Sequence, residues 1–178
     1  MNSLPFPEAT DPDVLSAVSY ASPIIKKALW TLKYKKAKRV AKPLAQLIHK
    51  RLLLKNLESK WIIIPIPLSK KRYRERGFNQ AELIAKHLSD ISNKTLLIYS
   101  NVLYKNRHTI SQVNIKNREK RLKNLKGVFV VKNTKIIKNK NILLLDDVST
   151  TGTTIKEAKK ALEKSGTNKV VGIVVASG

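Results

Sequence analysis

The sequence contains no cysteine, and its 12 acidic residues are outnumbered by 36 lysines and arginines. Without cysteine there is no disulfide framework, no thiolate zinc site and no cysteine nucleophile, and any metal is left with oxygen and imidazole ligands. Long apolar runs are also missing. None approaches the roughly 20 residues that a membrane helix requires, so no membrane span is expected. Met1 to Asp13 has neither the basic start nor the apolar core of a secretory leader, and a cytoplasmic protein is the default expectation. The three histidines carry little signal. His49 sits in a basic helix end, His87 falls on the apolar face of a predicted helix, where a core histidine is expected, and His108 stands alone in a polar stretch. Aromatic residues make up only 6% of the chain, and Trp30, Tyr34 and Trp61 are expected to serve packing rather than base stacking.

The shortage of acid leaves a formal charge of +24 on 178 residues. A charge of that size draws any polyanion, and nucleic acid, single-stranded DNA included, is the usual candidate. A second reading stands beside it. Lysine, asparagine and isoleucine are all abundant, as under AT-rich coding, and Lys132, Lys135, Lys138 and Lys140 are scattered as on an ordinary solvated surface.

The chain length suits one domain, organised in three stretches. Residues 1 to 20 are expected as an irregular leader, since positions 1 to 13 hold three of the seven prolines. Residues 21 to 58 are expected as a small helical segment. Ser22-Pro23 supplies an N-cap and a first-turn proline, Ile24, Ile25, Ala28, Leu29 and Leu32 recur on one face, and Pro43 kinks or starts a second helix. Residues 59 to 178 read as an α/β core. Trp61 to Ile66 is a continuous apolar, β-branched run of the kind buried on both faces of a parallel sheet. Lys70 to Arg76 is predicted as a basic loop, and a helix is predicted from Asn79, with Asn79 and Glu82 at capping-box spacing. Leu96 to Leu103, Gly127 to Val131, Asn141 to Leu145 and Val170 to Val175 are predicted strands. Lys105 to Lys126 has no clear period and reads as a long loop. Strands alternating with helices imply a parallel sheet with right-handed crossovers.

The clearest unit lies near the end. Ile142 to Leu145 gives way to Asp146-Asp147-Val148-Ser149-Thr150-Thr151-Gly152-Thr153-Thr154, and then to a helix with Ile155, Ala158 and Leu162 as its buried stripe and Thr154 and Glu157 at capping-box spacing. In parallel sheets a strand-to-helix loop turns its backbone N–H groups toward bound anions. Four threonine hydroxyls and Gly152, which permits close backbone approach, suit a phosphate monoester. Each charge-assisted hydrogen bond contributes roughly 1.5 to 3 kcal/mol, so a few of them hold such a group without a cation. Asp146 and Asp147 are acceptor-only when ionised and suit the vicinal hydroxyls of a ribose. They could instead orient water on magnesium whose shell is completed by substrate phosphates. Taken alone, an acidic pair also serves turns and helix caps.

Leu143 to Thr154, LLLDDVSTTGTT, resembles the phosphoribosyl-pyrophosphate (PRPP) signature of type I phosphoribosyltransferases. More closely, the chain resembles the ComF family of competence-associated phosphoribosyltransferase-like proteins. The segments that carry this are Leu32-Lys33-Tyr34-Lys35, Pro65-Ile66-Pro67-Leu68, Arg74 to Gln80, and Arg107-His108-Thr109-Ile110-Ser111-Gln112 followed by Arg118. Many ComF proteins begin with a cysteine-rich zinc-binding segment, which a cysteine-free sequence cannot form.

The resemblance implies a type I phosphoribosyltransferase fold, a Rossmann-like parallel sheet flanked by helices, with residues 21 to 58 as an N-terminal hood. It implies that Asp146 and Asp147 bind ribose, Ser149, Thr150, Thr151, Gly152, Thr153 and Thr154 bind the 5-phosphate, and Pro67, Leu68, Ser69 and Lys70 bind pyrophosphate. Arg74, Arg76, Asn79 and Gln80 would form a basic motif beside them, and Arg107, Thr109, Gln112 and Arg118 a lid. Magnesium would arrive with the substrate phosphates and meet Asp146 and Asp147 through water. The reaction implied is displacement of pyrophosphate from PRPP by an acceptor that the sequence does not specify. Two alternatives are a competence protein that binds PRPP or a nucleotide without turnover, and a DNA-binding module that uses the fold as a scaffold. Other competence proteins are the implied partners.

Overall fold

In the computed structural model, residues 14–53, 61–106 and 127–178 are described. The elements run β1 (Val14–Ser19), α1 (Pro23–Tyr34), a 3-10 turn (Lys38–Val40), α2 (Ala41–Leu53), β2 (Trp61–Pro65), α3 (Lys70–Arg76) and α4 (Gln80–Ile91), followed by β3 (Leu97–Ile98), β4 (Leu103–Lys105), β5 (Phe129–Val131), α5 (Thr134–Ile137), β6 (Asn141–Ser149), α6 (Thr153–Glu163) and β7 (Lys169–Ser177). Five strands form one parallel sheet in the order β1-β7-β6-β2-β3, while β4 and β5 pair antiparallel in a separate ribbon. This is the α/β class that the alternating pattern predicts.

The strand period of two divides the core between the two faces of the sheet. Ile63, Leu143, Leu145, Ile173 and Val175 pack with the apolar stripes of α1, α2 and α4. Ile62, Ile64, Ile142, Leu144 and Val174 pack on the other face with Ile155, Ala158 and Leu162 of α6 and with Ile137 and Phe129. Apolar side chains on both faces are why the central strands read as continuous hydrophobic runs. Ala41, Leu44, Ala45 and Ile48 of α2 share the first of these clusters, so the segment expected as a hood contributes a helix to the core layer.

Several local expectations are corrected. Residues 14 to 19, placed in an irregular leader, form β1, a parallel edge strand in register with β7 from Val14↔Gly172 to Ser19↔Ser177. The segment lacks an apolar run because Ser16 is buried within it, with its hydroxyl donating to the Val18 carbonyl at 2.8 Å. The predicted strand 96–103 is two short strands in different sheets, separated by a turn around Ser100 and Asn101. Lys70 to Arg76 is helix α3 rather than loop, with Ser69 Oγ accepting from Arg72 N at 3.3 Å and Gly77 ending it in the left-handed region at φ 79°.

The observed caps differ from the predicted boxes. Asn79 caps α4 by accepting from Ala81 N, while Glu82 pairs with Lys86; in α6 the cap position belongs to Gly152, and Glu157 pairs with Lys160. Pro43 lies in the first turn of α2, the start rather than an interior kink. Ile24, Trp30 and Tyr34, expected to pack, are exposed, whereas Trp61 is buried as predicted. No helix among the described residues is long and apolar enough to cross a membrane.

Candidate functional site

A cavity of about 300 Å³ opens at the carboxyl ends of β2 and β6, where parallel sheets place their ligands. Its floor is the end of β6, and both Asp146 and Asp147 line it. Asp146 Oδ1 accepts the Asp147 N–H at 2.8 Å. Asp147 Oδ2 lies 2.7 Å from Lys33 Nζ, which reaches in from α1, with 11% of the Asp147 side chain and 20% of the Lys33 side chain exposed. Desolvation pushes the Asp146 carboxyl up to about 7, and the neighbouring Asp147 charge adds to the rise; the Asp147 N–H, Lys33 and Lys105 pull the other way. A cationic or hydroxyl-bearing ligand that reaches Asp146 would favour its ionised form.

Beyond the acids, the loop into α6 turns sharply. Gly152 adopts φ 69°, a left-handed conformation that costs a side-chain-bearing residue roughly 1 to 2 kcal/mol. Ser149 Oγ accepts the Gly152 N–H at 3.1 Å, and the Thr151 and Thr153 hydroxyls are 2.8 Å apart. Ser149 therefore braces the loop. Residues Ser149 to Ile155, with Asp146 and Val148, surround a small hollow of about 20 Å³, and Thr150 and Thr154 line both this hollow and the main cavity.

The opposite wall is the segment after β2. Pro67, Leu68 and Ser69 line the cavity, and so do Arg76, Asn79 and Gln80. Asn79 ties this wall together: its Nδ2 donates to the Ile66 carbonyl at 2.9 Å while its Oδ1 caps α4. Lys70 and Arg74 are not brought to the cavity. Because residues 70 to 76 form a helix, these two point with Tyr73 and Leu68 to a separate open hollow. Arg107, Thr109, Gln112 and Arg118, with His108, lie outside the described residues.

Besides the apolar Ile66 and Val148, four further residues line the cavity: Tyr20, Lys33, Arg72 and Lys105. Lys105, at the end of β4, has its pKa lowered by burial first and by the Arg72 charge second, with Asp146 opposing. Helical phasing carries a usable signal for Lys33, which flanks the Ile25–Leu29–Leu32 stripe. Tyr20 and Lys105 have none, because their placement depends on a strand edge and a ribbon that no sequence period marks. The cavity thus presents Lys33, Arg72, Arg76 and Lys105 against two acids, a balance suited to a polyanion that also carries hydroxyls.

Fold and site define a parallel α/β protein whose cavity is built on a strand–acid–loop–helix unit. The chain belongs to the phosphoribosyl transferase domain family, which matches over residues 68–177. Its curated relatives bear out the resemblance to ComF proteins. Competence protein F of Haemophilus influenzae is 37% identical over 113 residues, 61% of this chain and 46% of that protein. Competence protein ComFC of Bacillus subtilis is 37% identical over 106 residues, 60% of this chain and 40% of that protein. The matches span less than half of the length of these relatives. Adenine phosphoribosyltransferase from Leishmania donovani shares the fold, with a TM-score of 0.50 at 10% identity over 97% of this chain and 86% of that one.

Proposed function

We propose that the cavity binds PRPP, or a closely related 5-phosphoribosyl ligand, and transfers the phosphoribosyl group in a protein that serves DNA uptake, as the competence names of its relatives suggest. The observation that carries this reading is the apposition of Asp146 and Asp147 to the Thr150–Thr154 loop on one side and to Arg72, Arg76 and Lys105 on the other. A ribose over the acids would have its 5-phosphate at the loop and its 1-pyrophosphate toward the cations.

In the transfer, the bond from the anomeric carbon to pyrophosphate breaks as a nucleophilic atom of the acceptor bonds to that carbon. Positive charge develops on the ribose beside Asp146, which stabilises it electrostatically. The pyrophosphate leaves against Arg72, Arg76 and Lys105, which offset its growing charge. Lys33 holds Asp147 in place, and Asn79 fixes the wall that carries Pro67 to Ser69. No cluster of three or more metal-binding side chains occurs among the described residues, so Asp146 and Asp147 fit magnesium only as partial ligands, through water, to an ion carried by the phosphates. Bound there, magnesium would neutralise the departing pyrophosphate.

Pyrophosphate release from PRPP, assayed against a panel of nucleobases and nucleosides, tests transfer. Release that depends on one acceptor and is lost in Asp146→Asn/Asp147→Asn supports the reading. PRPP binding without release from any acceptor leaves a binding protein and removes the transfer step.

A further inference from the structure

The cavity accounts for little of the +24 charge, and the outer face of α1 shows a place where the surplus meets exposed aromatic surface. α1 buries Ile25, Leu29 and Leu32. Its opposite face carries Lys27, Trp30 and Tyr34, all exposed, with exposed Lys26 beside them. The Trp30 and Tyr34 rings are one helical turn apart, with centroids separated by 5.9 Å and planes inclined at 39°. They remain 50% and 60% exposed in a chain that has only 6% aromatic residues. A cation attends each ring. Lys35 Nζ stands 5.5 Å from the Trp30 centroid, and Arg76 Cζ stands 5.7 Å from that of Tyr34.

We propose that this face binds single-stranded nucleic acid, with neighbouring bases stacked on Trp30 and Tyr34 and phosphates met by Lys26, Lys27, Lys35 and Arg76. Aromatic rings interleaved with cations match the alternation of base and phosphate in a single strand. A duplex hides its base faces and offers only its phosphates to the same surface. A second copy of this chain is the poorer occupant: no acid occurs between Asp13 and Glu58, so a symmetric contact would set like charges against each other. Arg76 also lines the cavity, so a strand on the α1 face runs to the cavity mouth. The face shares Arg76 with the cavity, and its other residues lie outside the cavity lining and so stand apart from a ligand held there.

The test uses the full chain, a fluorescein-labelled oligo-dT of about 20 nucleotides, and a duplex of equal length. The protein has two tryptophans, and Trp61 is only 7% exposed, so emission quenched on adding unlabelled oligo-dT reports Trp30. Quenching is expected with the single strand and not with the duplex. At fixed salt, Trp30→Ala/Tyr34→Ala is expected to weaken oligo-dT binding at least about tenfold, while Trp30→Phe/Tyr34→Phe stays within about threefold. The slope of log affinity against log salt is expected to be the same in all three proteins, because no cation is removed. Far-ultraviolet circular dichroism and the thermal midpoint of the same variants are expected to match the parent and show that they are folded. Unquenched emission, or full affinity in the double alanine variant, overturns the proposal. So does a dimer in the parent that the alanine variant loses, since the face would then belong to a second copy.

Discussion

Lys33 Nζ of α1 lies 2.7 Å from Asp147 Oδ2 at the end of β6, so the second acid of the strand-end pair is held by a cation from a helix more than a hundred residues away in sequence. The contact joins the N-terminal helices to the floor of the cavity. It also leaves Asp146 as the acid without a lysine at contact distance among the described residues.

Removing the lysine strands a mostly buried carboxylate. Lys33→Met is expected to lower stability by up to about 3 kcal/mol, read as the midpoint of urea denaturation at neutral pH. Lys33→Arg, which keeps the charge, is expected to recover most of the loss. Equal stability in all three proteins would show that the ion pair contributes nothing.

Asp146 gives a dependence on pH. Its folded-state value of about 7 lies above the ordinary 3.8, so the native state binds this proton more tightly than the unfolded chain does. Its contribution to stability is complete below pH 3.8 and is lost as pH rises through about 7. Asp146→Asn keeps an oxygen for the Asp147 N–H and removes the buried charge. Free of ligand, the variant is expected to melt above the parent at pH 8, with the gap narrowing steadily toward pH 4. A gap that does not change with pH would exclude this titration.

Gly152 tests the cradle. At φ 69° an alanine is strained, and Gly152→Ala is expected to cost about 1 to 2 kcal/mol of stability. Because the same turn shapes the loop proposed to receive the 5-phosphate, ribose 5-phosphate affinity is expected to fall in parallel. Unchanged affinity in a destabilised variant would separate the turn from the ligand.

Asn79 supports both the α4 cap and the Ile66 carbonyl. Asn79→Ala is expected to cost about 1 to 2 kcal/mol, and Asn79→Asp, which keeps the cap acceptor but loses the Nδ2 donor, to fall between them in thermal denaturation.

The acid pair and the threonine loop were legible because both sit on one continuous strand–loop–helix segment, and the sheet class followed from β-branched runs buried on both faces. Of the cations that complete the cavity, Arg76 was legible in the basic motif, whereas the approach of Lys105 and Lys33 to the acids was not. Lys105 comes from a two-stranded ribbon and Lys33 from the flank of a helix, and only tertiary packing brings them to Asp146 and Asp147. β1 was missed because an edge strand with a buried serine lacks the apolar run that marked β2 and β6. Lys70 to Arg76 looked like a loop because the helix it forms is held by Ser69 and Gly77 and buries no side chain of its own. Large rings usually pack, but Trp30 and Tyr34 are exposed because they lie on the face of α1 opposite the buried Ile25, Leu29 and Leu32.

The central claim is that the cavity holds a 5-phosphoribosyl group over Asp146 and Asp147, and calorimetric titration with PRPP, with and without magnesium, tests it most directly. Saturable binding by the parent protein, strengthened by magnesium and abolished in Asp146→Asn/Asp147→Asn while that variant keeps its fold, is the predicted result. PRPP binding that survives the double substitution, or no binding by the parent protein, would contradict the account.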